Sequence, residues 1–122
     1  MDTSIKILLV DDDRFLRQAT QALLRVYGFD SICVEKDGEG ALQRLRIEGD
    51  VKLVLTDWNM PLVDGVELTR MIRATPEFAR LKIIMMSGQT DSREPMAVGV
   101  DAYFRKPVKI ESLLELIGMY FS

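Results

Sequence analysis

The 122-residue chain reads as an α/β protein built on a parallel sheet. Three observations predict this. Short aliphatic runs alternate with stretches of helical period, so the connections are crossovers and neighbouring strands run parallel. Runs such as Ile5 to Val10 are near-continuously apolar, as strands covered on both faces are. Charged and hydroxyl side chains recur where the runs end, at the edge where open α/β sheets bind ligands.

Ile5 to Val10 is the first strand and ends in Asp11-Asp12-Asp13. One of these acids caps the next helix; Asp13 is the ordinary choice. Phe15, Leu16, Ala19, Leu23 and Val26 then recur at helical spacing, and Gly28 stops the helix. Ile32 to Val34 is a short second strand, and Ala41, Leu42 and Leu45 mark a second helix ending near Gly49. Val51 to Gly65 is the stretch that organises the chain. Its aliphatic core delivers one carboxylate, Asp57, to a loop that Pro61 and Asp64-Gly65 turn toward a third helix. That helix should face Val66, Leu68, Met71 and Ile72 inward and close before Pro76. Leu81 to Met86 is a fourth strand, ending at Ser87-Gly88, and Asp101 to Arg105 a fifth, ending at Lys106-Pro107. Thr90 to Val100 should hold the fourth helix, but Pro95 and Gly99 keep it short. Ile110, Leu113, Leu114 and Ile117 define the last helix.

The length supports one domain, 1–122. A net charge of −3 with no basic run argues against direct nucleic-acid binding. Cys33 is the only cysteine, so no internal disulfide forms; it reads as a small buried hydrophobe. No secretory signal or membrane span is visible, and a reducing, cytoplasmic location is expected. The chain has no histidine, which excludes histidine catalysis and a phosphohistidine of its own.

If the strands lie side by side, their ends bring Asp11, Asp12 and Asp57 together with Ser87 and Lys106. Carboxylates this close repel, and a divalent cation relieves that cost. The ligands are all hard oxygens, which suit Mg²⁺ or Mn²⁺. Lys106 then serves as a point charge for an anion and Ser87 as a hydroxyl donor. These parts fit phosphoryl transfer with Asp57 as the acceptor.

The motifs L-L-V-D-D-D at 8–13, L-T-D-W-N-M-P-x-x-D-G at 55–65, M-S-G at 86–88 and Y-F-R-K-P at 103–107 resemble those of two-component response regulator receiver domains. The resemblance implies a flavodoxin-like doubly wound five-stranded sheet of order 2-1-3-4-5. It makes Asp57 the phosphoacceptor, Asp12 a direct metal ligand, Asp11 its partner acting mostly through water, and the backbone carbonyl of Asn59 a third ligand. Ser87 and Tyr103 match the switch residues, Lys106 the lysine that contacts the phosphoryl group, and Lys106-Pro107 a cis bond. Asn59 and Gln89 match variable positions that tune phosphate loss. The partners implied are a sensor histidine kinase or histidine phosphotransfer protein, and a downstream protein or fused output domain. A homodimer stays open. Such a domain is a signalling phosphoacceptor, not an enzyme acting on other substrates. One departure is that Ser87 and Lys106 lie closer than usual, by roughly one helical turn.

Two other readings remain. In a haloacid-dehalogenase-type phosphatase, Asp11 would be the nucleophile and Asp13 the general acid. In a phosphorylation-independent scaffold, the fold alone would matter. Tyr103 as a plain half-buried strand aromatic stays nearly level with its switch role, and Trp58 has no evident packing reason.

Overall fold

A computed structural model describes residues 1–122. The elements alternate as β1 (Lys6–Val10), α1 (Arg14–Val26), β2 (Ile32–Glu35), α2 (Gly38–Glu48), β3 (Val51–Asp57), α3 (Gly65–Arg73), β4 (Lys82–Ser87), α4 (Arg93–Val98), β5 (Ala102–Arg105) and α5 (Ile110–Tyr120). All four strand pairings are parallel, and the sheet order is β2-β1-β3-β4-β5. The doubly wound 2-1-3-4-5 sheet is therefore as expected, and each strand lies within a residue or two of its expected bounds.

Successive strand residues point to opposite faces, and the core divides accordingly. Ile7, Leu9, Leu53, Leu55, Ile84 and Met86 pack with Leu24 of α1 and with Leu113 and Ile117 of α5. Leu8, Val10, Val54, Ile83 and Met85 pack with Ala41 and Leu45 of α2 and with Val66, Leu68 and Ile72 of α3.

The first three helices each start where an aspartate side chain accepts from their free amides. Asp13 caps α1 by accepting from the amides of Phe15 and Leu16. Asp37 and Asp64 do the same for α2 and α3. α4 is only six residues long and ends on Gly99 in the left-handed region, as Pro95 and Gly99 forecast.

Three side-chain expectations are corrected. Met71 is exposed; α3 buries Val66, Leu68, Thr69 and Ile72 instead. Cys33 is half-buried, because it lies on the edge strand β2. In α1 the helix is as expected but its rotation is not. Leu24 is the one fully buried residue, while Phe15 is 84% and Val26 77% exposed. The phase is set at the first turn. Arg17 donates Nη1 to the Asp11 carbonyl at 2.6 Å, which turns Arg17, Thr20 and Leu24 toward the sheet. The stripe of Phe15, Ala19, Ala22 and Val26 then faces water.

Candidate functional site

β1 and β3 end in register, with Val10 opposite Thr56, so Asp11 and Asp57 leave the sheet side by side. Asp11, Asp12 and Asp57 can bring one carboxylate oxygen each to within 4.8 Å of one another. Asp11 is buried, Asp57 half-buried and Asp12 exposed, so the cluster opens to solvent on one side.

Asp11 is held at three points. Its amide donates to the Glu35 carbonyl, its carbonyl accepts from Arg17, and its Oδ1 accepts from the Asp13 amide at 2.9 Å. Asp57 Oδ1 accepts from the Trp58 amide at 2.8 Å. Gly65 lets α3 begin directly against this turn. Its amide donates to the Trp58 carbonyl, and a Cβ there would run into the Asp57 carbonyl oxygen.

The opposite wall comes from β4 and β5. Ser87 pairs with Arg105, and the Lys106 amide donates to the Ser87 carbonyl at 2.7 Å. The Lys106-Pro107 peptide is cis, in keeping with the motif. Lys106 Nζ then lies 3.4 Å from Asp57 Oδ2 and 3.6 Å from Asp11 Oδ2. One ammonium thus bridges two of three clustered carboxylates. Burial pushes the Asp57 carboxyl above its ordinary range; Lys106 opposes that shift and the charge on Asp11 adds to it.

The rim links the remaining predicted residues. Ser87 is fully buried, and its Oγ accepts from the Gln89 amide at 3.2 Å. Gln89 Nε2 donates to Asn59 Oδ1 at 3.1 Å. Tyr103 donates its hydroxyl to the Gln89 carbonyl at 2.6 Å. Trp58 meets the Tyr103 ring edge-on, with centroids 6.3 Å apart. That contact gives Trp58 the packing role that its sequence position did not reveal. Arg17 was also missed as a contributor; an arginine one turn beyond an acidic triplet is its only trace in the sequence.

Residues 7–118 match the response regulator receiver domain family. The chain belongs to that family. It is 35% identical to the chemotaxis protein CheY-3 of Vibrio cholerae, over 99% of this chain and 95% of the relative. The fold of this receiver domain superposes on a response regulator receiver protein from Pseudomonas putida with a TM-score of 0.87 and 33% identity, covering 98% and 99% of the two chains. A receiver domain of a sensor histidine kinase from Pseudomonas aeruginosa PAO1 matches with a TM-score of 0.86 and 28% identity over 96% and 97% of the chains; that structure has a magnesium ion coordinated in its active-site cleft. The receiver is thus a signalling module of two-component systems, similar to the chemotaxis regulators. No helix is long and apolar enough to cross a membrane.

The donor set itself fits a hard divalent cation. Three carboxylates share one nearby ammonium, which leaves excess negative charge, and every available ligand is oxygen.

Proposed function

We propose that this receiver accepts a phosphoryl group on Asp57 from a partner's phosphohistidine and later releases it as inorganic phosphate. The observation that carries the reading is Lys106 Nζ standing within 3.6 Å of both Asp57 and Asp11, beside the exposed Asp12.

Asp57 Oδ2 is the attacking oxygen. Its sister Oδ1 is held by the Trp58 amide, which fixes the carboxylate plane. A P–O bond forms to Asp57 as the P–N bond to the donor imidazole breaks, and the ring, carrying a proton on its other nitrogen, leaves as neutral imidazole. Lys106 and the Ser87 hydroxyl offset the charge on the phosphoryl oxygens, where positioned charges are most effective. Asp11, Asp12, Asp57 and the Asn59 carbonyl would hold Mg²⁺ or Mn²⁺, which supplies charge neutralisation when bound. In a second, hydrolytic step a water attacks phosphorus and the Asp57–phosphate bond breaks. The carboxylate is restored, and inorganic phosphate leaves with the water's oxygen. Asn59 and Gln89, hydrogen-bonded to each other across the opening, orient that water; neither side chain is a base.

Partner docking has a surface ready. Phe15, Ala19, Ala22 and Val26 form an outward apolar stripe that starts two residues from the acidic turn. Arg14, Arg17 and Arg25 are the only charges on α1. A helical phosphodonor with an apolar surface and acidic flanks fits this face. Ser87 and Tyr103, both bonded to Gln89, would pass the event to a downstream protein or a fused output domain.

The phosphatase alternative gains nothing from the geometry. Asp13 caps α1 with its carboxylate instead of facing Asp11 as an acid. Incubating the protein with a phosphohistidine donor carrying labelled phosphate tests the proposal. Label should pass to the wild type and not to Asp57→Asn, and label retained by Asp57→Asn would refute it.

A further inference from the structure

A cavity of about 480 Å³ opens beside the acidic site, between α1 and the segment that follows β5. Leu16 and Thr20 of α1 line one side, Pro107 and Val108 the other, and Met86 of β4, only 6% exposed, lies at its base. Asp11 and Lys106 complete the lining. The same two residues belong to the acidic site, where Lys106 Nζ stands 3.4 Å from Asp57 Oδ2. The cavity therefore shares a wall with the point of phosphoryl attachment. A smaller hollow of about 60 Å³ adjoins it; Thr20, Met86 and Val108 line both, and Leu23, Ile110 and Leu113 extend the apolar surface.

The gap follows from the rotation of α1. Arg17 on the Asp11 carbonyl turns Thr20 toward the sheet, and a side chain as short as threonine leaves the space before Pro107 and Val108 unfilled. What remains has two chemistries. One end carries the ammonium proposed to meet the phosphoryl oxygens, and the rest is mainly apolar. Cavities of this size bind by burying apolar surface, and their few charged groups orient the ligand. An apolar space of about 150 Å³ already admits a benzene-sized group, so this one admits a chain of several carbons. The Asp11 carboxylate in the lining disfavours a tail with a negative charge of its own.

We propose that the cavity takes the tail of a small acyl phosphate with an uncharged apolar chain, which makes such molecules better phosphodonors than acetyl phosphate. A P–O bond forms to Asp57 Oδ2 as the bond from phosphorus to the acyl oxygen breaks, and the acyl group leaves as a carboxylate with that electron pair. The tail is held equally before and during transfer. Its burial therefore acts on KM and on the second-order rate constant, not on the maximal rate. Each methylene that enters contributes about twofold to fourfold.

This inference rests on Asp57 being the acceptor, and its test separates the two claims. Phosphorylation is timed by mass spectrometry with Mg²⁺ and acetyl, butyryl or hexanoyl phosphate, whose leaving carboxylates differ little in basicity. Phosphoramidate, which has no tail, is run beside them. Phosphoramidate that fails to label the Asp57 peptide removes the acceptor and this inference with it. With Asp57 labelled, the second-order rate constant should rise along the acyl series, hexanoyl exceeding acetyl by at least about tenfold at similar maximal rates. Thr20→Phe, which fills the cavity, should bring that ratio close to one. Leu16→Ala lowers one wall at a position 46% exposed, where the fold tolerates change, and should cut the ratio about threefold. Equal rate constants for the three acyl phosphates in the wild type would overturn the proposal, as would an unchanged ratio in either folded variant.

Discussion

Lys106 Nζ lies 3.4 Å from Oδ2 of Asp57, and the backbone that carries it there is fixed by the Lys106 amide on the Ser87 carbonyl. The relationship joins the end of β5 to the end of β3 across β4. It also joins charge to chemistry, because the same ammonium that offsets the acids in the resting protein faces the oxygen proposed to attack phosphorus.

Lys106→Met should therefore weaken both. Without the ammonium, Asp11 and Asp57 repel in a partly buried setting, and the melting temperature should fall. Phosphorylation by acetyl phosphate should slow about 10²- to 10³-fold, the usual cost of removing one well-placed charge or donor. Mg²⁺ should restore much of the lost stability and little of the rate. Calorimetry and mass-spectrometric time courses check both.

Asp57→Asn should stabilise the metal-free protein at neutral pH by a few degrees. Burial raises the Asp57 carboxyl above its ordinary value of 3.8, so the folded state holds that proton more tightly than the unfolded state. Ionised Asp57 thus costs stability at neutral pH. That cost disappears as pH falls through the raised value and is gone below 3.8. The difference in melting temperature between Asp57→Asn and wild type, measured in chelator, should hold constant above the raised value and shrink as the pH falls through it toward 3.8.

Mg²⁺ should stabilise the wild type through binding to the folded site alone. At about one hundred times its Kd the gain is about 2.7 kcal/mol. Asp12→Asn should lose most of it while leaving the core intact, because Asp12 is exposed and buries nothing. Thermal shift against Mg²⁺ concentration reads the effect.

α1 gives a contrast between packing and docking. Leu24→Ala should cost about 2–5 kcal/mol, since Leu24 is fully buried. Phe15→Ser should change stability by less than about 0.5 kcal/mol, as Phe15 is 84% exposed. The same substitution should slow transfer from a protein donor and spare phosphorylation by acetyl phosphate. Denaturant melts and paired transfer assays separate the two.

The fold was legible because the sheet is buried on both faces. Ile5 to Val10 and Leu81 to Met86 could be little else, and Pro95 with Gly99 announced a stunted α4. The candidate site was legible because its residues sit at strand ends, whose positions follow from the topology alone. Helix rotation was not. The apolar period of α1 is real, but Arg17 on the Asp11 carbonyl turns that stripe outward, and no count of hydrophobic spacing contains that bond. The same holds for Met71: α3 buries Thr69 while Met71 stays exposed, and the Thr69 hydroxyl is satisfied within the helix by the Gly65 carbonyl at 2.8 Å. The ion pair between Arg73 and Asp101 depends on the approach of α3 to the end of α4, a tertiary fact invisible in either segment.

Peptide mapping after treatment with acetyl phosphate and Mg²⁺ tests the central claim most directly. The account predicts one added phosphoryl group, on the peptide containing Asp57, absent with chelator and absent in Asp57→Asn. A phosphoryl group on Asp11, or none on the wild type under conditions where Mg²⁺ stabilises it, would contradict it.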